Sequence, residues 1–133
     1  MQERTRRVLI VEDEPLVRTL CVRFCGQYRK DLELVAPASL AELEAVATTD
    51  DVFDIVFADS ELKEWRPGLL FYEHATFPAV LGRLIAGSLV VSTSGRSDVG
   101  HELCARATAL GVHCQYLGKP FNSNAMEALL RAV

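Results

Sequence analysis

Long apolar runs and closely spaced cysteines are both missing from this chain of 133 residues. No stretch reaches the roughly 18 apolar residues that a membrane-spanning helix needs. The apolar run at residues 8–11 ends in Glu12, Asp13 and Glu14, which excludes a secretory signal. The four cysteines include no Cys-x-x-Cys pair, so we expect reduced, mostly buried thiols and no zinc or redox centre. These absences favour a cytoplasmic protein that does not contact a membrane.

An excess of positive charge is missing as well. The chain has 14 Lys and Arg against 18 Asp and Glu, a net charge of −4, which argues against nucleic-acid binding. The local exception, Arg4, Arg6 and Arg7, is interpreted as a solubilising lead-in to a buried strand. Because no repeat, linker or low-complexity segment interrupts the sequence, we expect a single domain over residues 1–133.

Short, fully apolar runs are the clearest pattern that is present. They occupy residues 8–11, 55–58 and 89–91, with weaker candidates at 34–36 and 114–117. Runs without polar alternation are typical of strands that are buried on both faces, as in parallel sheets covered by helices.

Helical patterns lie between these strands. The starts are marked by Pro15, by a Ser39–Glu42 capping box and by Ser123. The apolar segment 68–86 is also predicted to be helical, with a break or kink at Pro78. The apolar stripes lie within residues 16–24, 43–47, 103–110 and 126–133. The alternation predicts an α/β protein, a doubly wound five-stranded parallel sheet with five helices.

Polar residues end four of the predicted strands. They are Glu12-Asp13-Glu14, Asp59, Thr93-Ser94-Gly95 and Lys119-Pro120-Phe121. The carboxyl ends of parallel strands share one edge, where such folds bind ligands. Carboxylates suit Mg²⁺, a lysine and a hydroxyl suit a phosphoryl group, and a central carboxylate can act as a nucleophile.

On four segments, residues 8–15, 54–59, 90–95 and 116–121, the sequence resembles the receiver domain of two-component response regulators and is similar to the chemotaxis regulator. The resemblance implies the flavodoxin-like receiver fold with strand order 2-1-3-4-5. It also implies one receiver domain, with no output domain in this chain. Such a domain is a signalling switch, and not an enzyme beyond its own phosphorylation and autodephosphorylation.

The resemblance also implies a role for each residue at the edge. Asp59 would accept a phosphoryl group from a histidine kinase or a histidine phosphotransfer protein. Glu12, Asp13, Asp59 and the backbone carbonyl of Glu61 would hold Mg²⁺ or Mn²⁺. Lys119 would neutralise the phosphate, and the Lys119–Pro120 peptide bond would be cis.

The switch implied by the resemblance involves Ser94 and Tyr116. Ser94 would bind a phosphate oxygen, and the Tyr116 ring would then swing inward. Signals would pass to a downstream protein through the face of the fourth helix, fifth strand and fifth helix. Homodimerisation through that face is left open, and direct nucleic-acid binding is not implied.

The loop after Asp59 departs from the family pattern. Leu62 and Lys63 stand where a Met-Pro pair is usual. The Asp59–Ser94 interval is also long, and we place the extra length in a longer third helix around Pro78. The interval from Ser94 to Lys119 is long too, which we assign to a fourth helix extended after Gly100.

Two side chains that flank the predicted site have opposite charge. We hypothesise that Glu61 and Arg96 meet over the phosphate and slow the attack of water. Trp65, the single tryptophan, lies in the loop after Asp59 and is expected either to report ligand binding or to pack on a helix.

The altered loop keeps a second class open, a pseudo-receiver that binds proteins without phosphorylation. A flavodoxin-like or nucleotide-binding enzyme is disfavoured, because acidic residues follow the first strand where that class has a glycine-rich phosphate loop.

Overall fold

Strands and helices alternate along the chain in the computed structural model, which describes residues 6–120 and 123–131 apart from the side chains of residues 86 and 87. The strands are β1 (Arg6–Val11), β2 (Leu32–Val35), β3 (Phe53–Ala58), β4 (Leu84–Ser92) and β5 (Cys114–Tyr116). The helices are α1 (Pro15–Tyr28), α2 (Leu40–Ala47), α3 (Thr76–Leu81), α4 (Ser97–Ala109) and α5 (Ser123–Arg131), and a 3₁₀ turn covers Phe71–Glu73.

The five strands form one parallel sheet in the order β2-β1-β3-β4-β5. This confirms the predicted fold class and strand order. One row of aligned residues crosses the whole sheet: Val35, Leu9, Val56, Val90 and Cys114. In-register pairing of this kind brings all five carboxyl ends to the same edge.

Apolar side chains cover both faces of the sheet, as continuous apolar runs require. All six residues of β3 are buried. On one face the core includes Leu43 of α2, Val80 of α3 and Leu103 of α4. On the other face it includes Cys25 of α1 and Leu130 of α5. The result is three layers with the sheet in the middle.

The apolar stripe predicted for the first helix, within residues 16–24, is only partly buried. Glu14 caps α1, because the N–H of Val17 donates to its Oε2 at 2.9 Å. The buried side of the helix carries Cys21 and Cys25, whereas Leu16 is 79% exposed and Leu20 is 45% exposed. The two leucines lie four residues apart on an adjacent face, so that part of the prediction is wrong.

Two predictions for segment 68–86 are also wrong. The helical part is short, since α3 has six residues and β4 begins at Leu84. Pro78 is the third residue of α3, within the first turn, where a missing N–H breaks no helical hydrogen bond. The third helix is therefore not lengthened, and Pro78 does not break it.

The extra residues between Asp59 and Ser94 lie in β4 instead. Phe53 pairs with Leu84 and Ile55 pairs with Leu89, with a register shift between them. Two steps along β3 therefore match five along β4, so β4 contains three extra residues at its amino half. Among the described helices, none is long and apolar enough to cross a membrane.

Candidate functional site

Backbone hydrogen bonds extend the parallel ladder beyond the strand ends. The N–H of Asp59 donates to Val11 O at 2.9 Å, and the N–H of Thr93 donates to Ala58 O at 2.9 Å. The first residues after β1, β3 and β4 are thereby held side by side. This is the physical reason why residues far apart in the sequence meet at one edge.

Three carboxylates meet at this edge and form the acidic cluster of Glu12, Asp13 and Asp59. One oxygen of each lies within 4.8 Å of the others. All three residues are buried, with exposed fractions of 2%, 5% and 7%. Three carboxylates that are this close together and shielded from water repel one another strongly unless a cation lies among them.

Lys119 supplies one such cation. Its Nζ lies 2.6 Å from Glu12 Oε1 and 2.9 Å from Asp59 Oδ2. The lysine follows Gly118, whose φ of 80° is a left-handed conformation that favours glycine. It precedes the predicted cis bond to Pro120, which is present. This turn after β5 directs the lysine toward the acidic cluster.

The ionisation of these groups reflects burial and mutual charge. Burial raises the pKa of Glu12 to about 7, and the charge of Asp59 adds to that effect against the opposing influence of Lys119. Burial also raises the pKa of Asp59, again opposed by Lys119. Burial alone would lower the pKa of Lys119, but the two carboxylates outweigh it and the pKa is raised. One lysine therefore does not offset the negative charge of the acidic cluster.

The donor set of the acidic cluster fits a hard divalent cation. It consists of oxygen atoms only, as Mg²⁺ and Mn²⁺ prefer. Glu12 Oε1 is buried, and its charged partner is Lys119 Nζ at 2.6 Å.

Glu61 contributes backbone groups at the same edge. It faces Leu70 in an antiparallel bridge, flanked by hydrogen bonds from Leu62 N–H to Leu69 O and from Phe71 N–H to Ser60 O. In such a pair the N–H and C=O of the central residue point away from its partner. Accordingly, the Glu61 N–H donates to Asp59 Oδ1 at 3.3 Å.

The acidic cluster opens into a cleft of about 260 Å³. Its lining brings together the predicted Glu12, Asp13, Asp59, Glu61, Ser94, Arg96 and Lys119. Ser94 is 1% exposed, and its Oγ accepts a hydrogen bond from the N–H of Arg96 at 3.3 Å. The structure thus places a hydroxyl, an ammonium and a carboxylate around one small opening.

Glu61 and Arg96, both of which line this cleft, form an ion pair. Arg96 Nη1 lies 3.5 Å from Glu61 Oε2. A closer partner was missed, because Arg96 Nη2 lies 2.7 Å from Asp98 Oδ2. Arg96 and Asp98 are two residues apart at the start of α4. This ion pair could therefore have been predicted from the sequence.

Tyr116 lies outside the cleft, on its α4 side. Its hydroxyl donates to Ser94 O at 2.9 Å, and its ring centroid lies 4.6 Å from that of His101. The ring also packs on Gly100, where an added Cβ would lie 2.7 Å from Tyr116 Cδ1. Gly100 is thus a positioning residue that the sequence reading missed.

The atypical loop after Asp59 is well packed. Leu62 is fully buried, in the same core cluster as Leu69, and Trp65 packs against that cluster. The loop also contacts the acidic cluster, since the N–H of Glu64 donates to Asp13 Oδ2 at 2.7 Å. This backbone contact was missed, and no side-chain pattern signals it.

Two buried serines link the site to α4. Ser60 Oγ donates to Val99 O at 2.8 Å, and Ser92 Oγ donates to Gly100 O at 2.9 Å. Neither serine was predicted from the sequence to belong to the site. Their position at the ends of buried strands is the signal that could have indicated them.

Comparison with known proteins rests on structure, because no family model and no curated protein matches this chain. A CheY-like response regulator receiver domain protein from Methanospirillum hungatei superposes with a TM-score of 0.71 at 17% identity, covering 96% of this chain and 92% of that one. A response regulator from Colwellia psychrerythraea gives 0.70 at 19% identity, with 97% and 96% covered.

A third structure is described with a ligand. It is the receiver domain of a sensor histidine kinase from Pseudomonas aeruginosa, with a magnesium ion coordinated in its active-site cleft. It gives a TM-score of 0.64 at 17% identity and covers 96% of both chains. The present chain therefore has the fold of response regulator receiver domains, and the acidic cluster lies at the edge of the sheet where this fold binds ligands.

Proposed function

We propose that this chain is a phosphorylatable receiver that takes a phosphoryl group onto Asp59 from a phosphohistidine of a histidine kinase or a histidine phosphotransfer protein. One observation carries the proposal. Lys119 Nζ contacts both Asp59 and Glu12, while Asp13 completes a buried acidic cluster. A purely structural ion pair needs one carboxylate for each lysine, whereas this site collects three.

Each residue of the cleft would have a separate role in phosphoryl transfer. Asp59 attacks phosphorus in line, so an O–P bond forms as the N–P bond breaks and the imidazole stays with the donor. Both Asp59 oxygens are oriented, Oδ2 by Lys119 and Oδ1 by the N–H of Glu61. Lys119 then neutralises the charge that arrives, and the Ser94 hydroxyl donates to a phosphate oxygen.

Glu12, Asp13, Asp59 and the carbonyl of Glu61 would hold Mg²⁺ or Mn²⁺. The cation would supply charge neutralisation to the phosphoryl oxygens. Glu12 would act mainly through a bound water, since its Oε1 already contacts Lys119 at 2.6 Å.

The proposed output is a change of surface on a cytoplasmic signalling protein. Tyr116 is joined to Ser94 by the hydrogen bond from its hydroxyl, so a shift of Ser94 toward phosphate moves the ring. The ring lies between α4 and β5, and the face of α4, β5 and α5 would then bind a downstream protein or a second copy of this chain. Catalysis is limited to phosphorylation and autodephosphorylation of the chain itself.

The proposal is tested by incubation with Mg²⁺ and acetyl phosphate or beryllium fluoride. With acetyl phosphate the wild type is expected to gain one phosphoryl group in intact mass, and with beryllium fluoride, which transfers no phosphoryl group, it is expected to show a spectral change. Asp59→Asn is expected to show neither. Asp50→Asn is the matched control, because Asp50 is exposed and precedes β3 at the opposite edge of the sheet. Phosphorylation of Asp59→Asn at the normal rate would overturn the site assignment.

The alternative is a pseudo-receiver, a phosphorylation-independent protein-binding module. One contact favours it: the N–H of Glu64 occupies Asp13 Oδ2 at 2.7 Å, on a predicted metal ligand. A wild type that gains no mass and shows no spectral change with Mg²⁺ and beryllium fluoride would support this alternative.

A further inference from the structure

Two cysteines meet between α4 and β5. Cys104 lies on α4 and Cys114 begins β5, and the thiol of Cys114 donates to Cys104 Sγ at 2.7 Å. All four cysteines are free thiols. A disulfide bond is about 2.05 Å long, so the two sulfur atoms need to approach by only a fraction of an ångström.

The backbone around this pair is already in place. α4 and β5 pack directly, and the N–H of Val112 donates to Ala107 O at 3.0 Å in the connection between them. Cys104 and Cys114 are both half-buried, so small reagents reach them more readily than the buried Cys21 and Cys25. Bond formation at this point therefore closes a short loop without moving either element far.

The pair lies next to the Tyr116 contact. Cys114 and Tyr116 are two apart on a strand and so share one face, while Gly100 and Cys104 are four apart on a helix and so share one side. Gly100 against Tyr116 and Cys104 against Cys114 are thus consecutive contacts along one seam, the α4–β5 seam. A covalent link at one of them restrains the other.

We propose that Cys104 and Cys114 are a reversible dithiol that a low-molecular-weight disulfide such as oxidised glutathione converts to an intramolecular disulfide. The thiolate of one cysteine attacks the small disulfide, which forms a mixed disulfide and releases one small thiol. The second cysteine then attacks the protein sulfur of that mixed disulfide and releases the other small thiol. Two protein thiols are oxidised, one small disulfide is reduced, and two protons leave the cysteines and end on the small thiols.

The environment of the thiols sets the conditions of the reaction. Burial raises the pKa of Cys104 and also that of Cys114, where the contact with Cys104 raises it further. Thiolate is the attacking species, so the exchange is slow at neutral pH and is best followed in mildly alkaline buffer.

The test is incubation of the folded wild-type protein with oxidised glutathione, followed by denaturation and alkylation without reduction. The wild type is expected to lose two alkylatable thiols and two hydrogen atoms of intact mass, and to recover both with dithiothreitol. Its Tm is expected to rise by roughly 5–10 °C in the oxidised form, because a short closed loop restricts the unfolded chain.

Matched variants assign the bond. Cys104→Ser and Cys114→Ser are expected to abolish the loss of two hydrogen atoms and the rise in Tm, and to stop at a mixed disulfide that adds one glutathione to the mass. The double variant Cys21→Ser/Cys25→Ser is expected to keep both the loss and the rise. Four alkylatable thiols in the treated wild type, or an unchanged loss in Cys104→Ser, would overturn the proposal. Neither Mg²⁺ nor a phosphoryl donor is present, so the result is independent of the function proposed above.

Discussion

The backbone N–H of Glu64 donates a hydrogen bond to Oδ2 of Asp13 at 2.7 Å. The donor belongs to the loop after Asp59, and the acceptor belongs to the acidic cluster. A cation bound at the acidic cluster would therefore act on the same carboxylate that holds the residue next to Trp65.

Trp65 fluorescence is accordingly expected to change when Mg²⁺ is added. In Asp13→Asn the apparent Mg²⁺ affinity should fall at least about tenfold, because an oxygen donor with full charge is lost. Titration of both proteins in chelator-treated buffer measures this difference. Asp50→Asn serves as the control and should titrate like the wild type. An Asp13→Asn curve that superposes on the wild-type curve would contradict the metal assignment.

The pKa of Glu12 makes stability depend on pH. Its folded value, raised by burial to about 7, exceeds the ordinary value of 4.5, so the folded state binds more protons than the unfolded state between these limits. The free energy of unfolding should therefore fall as pH rises through this window, by on the order of 3 kcal/mol in metal-free buffer. Denaturant unfolding at pH 5 and pH 8 measures it.

Glu12→Gln removes the titrating group and should flatten that pH dependence. At pH 8 without metal the variant is expected to be more stable than the wild type. Added Mg²⁺ should stabilise the wild type and have less effect on the variant, because the variant lacks one carboxylate. A variant with the same slope as the wild type would show that Glu12 is not responsible.

The contact between Gly100 and Tyr116 has a measurable energy. Gly100→Ala is expected to destabilise the protein by about 1–3 kcal/mol, since the added methyl group overlaps the Tyr116 ring. In a Tyr116→Ala background the same change should be much less harmful. Gly26→Ala is the matched control, because Gly26 also lies in a helix but has open space around its Cα, and alanine there should be neutral or stabilising.

Arg96 is expected to influence how long a phosphorylated Asp59 persists. It pairs with Glu61 beside the cleft, at a distance of 3.5 Å, and the pair is exposed. Arg96→Ala should therefore shorten the lifetime by no more than about fivefold, as is usual for exposed ion pairs. The decay of phosphoprotein after removal of acetyl phosphate measures this lifetime, and equal lifetimes would sink the hypothesis.

The sequence predicts the elements whose causes are local. Continuous apolar runs identify β1 and β3, and Ser39 caps α2 as expected, with the N–H of Glu42 donating to Ser39 Oγ at 3.1 Å. The residues after each strand were also predictable, because parallel pairing places them at one edge. The meeting of these residues in one cleft was therefore predictable from the sequence.

The rest depends on tertiary contacts that leave no local pattern. Segment 68–86 looks helical by its apolar content, yet pairing with Phe53 draws Leu84 into β4. The Glu64 contact with Asp13 uses a backbone N–H that every residue but proline possesses. Cys104 and Cys114 are ten apart in the sequence and meet only because α4 folds back on β5.

The three extra residues of β4 have a consequence for how proteins of this kind are compared. They enter at the amino half of the strand, whereas Ala58 and Ser92 at the carboxyl ends remain paired residue for residue. The distance between Asp59 and Ser94 in space therefore does not depend on the number of residues that separate them in the sequence. A sequence pattern that fixes the number of residues between Asp59 and Ser94 would therefore not recognise this chain, although both residues line the same cleft.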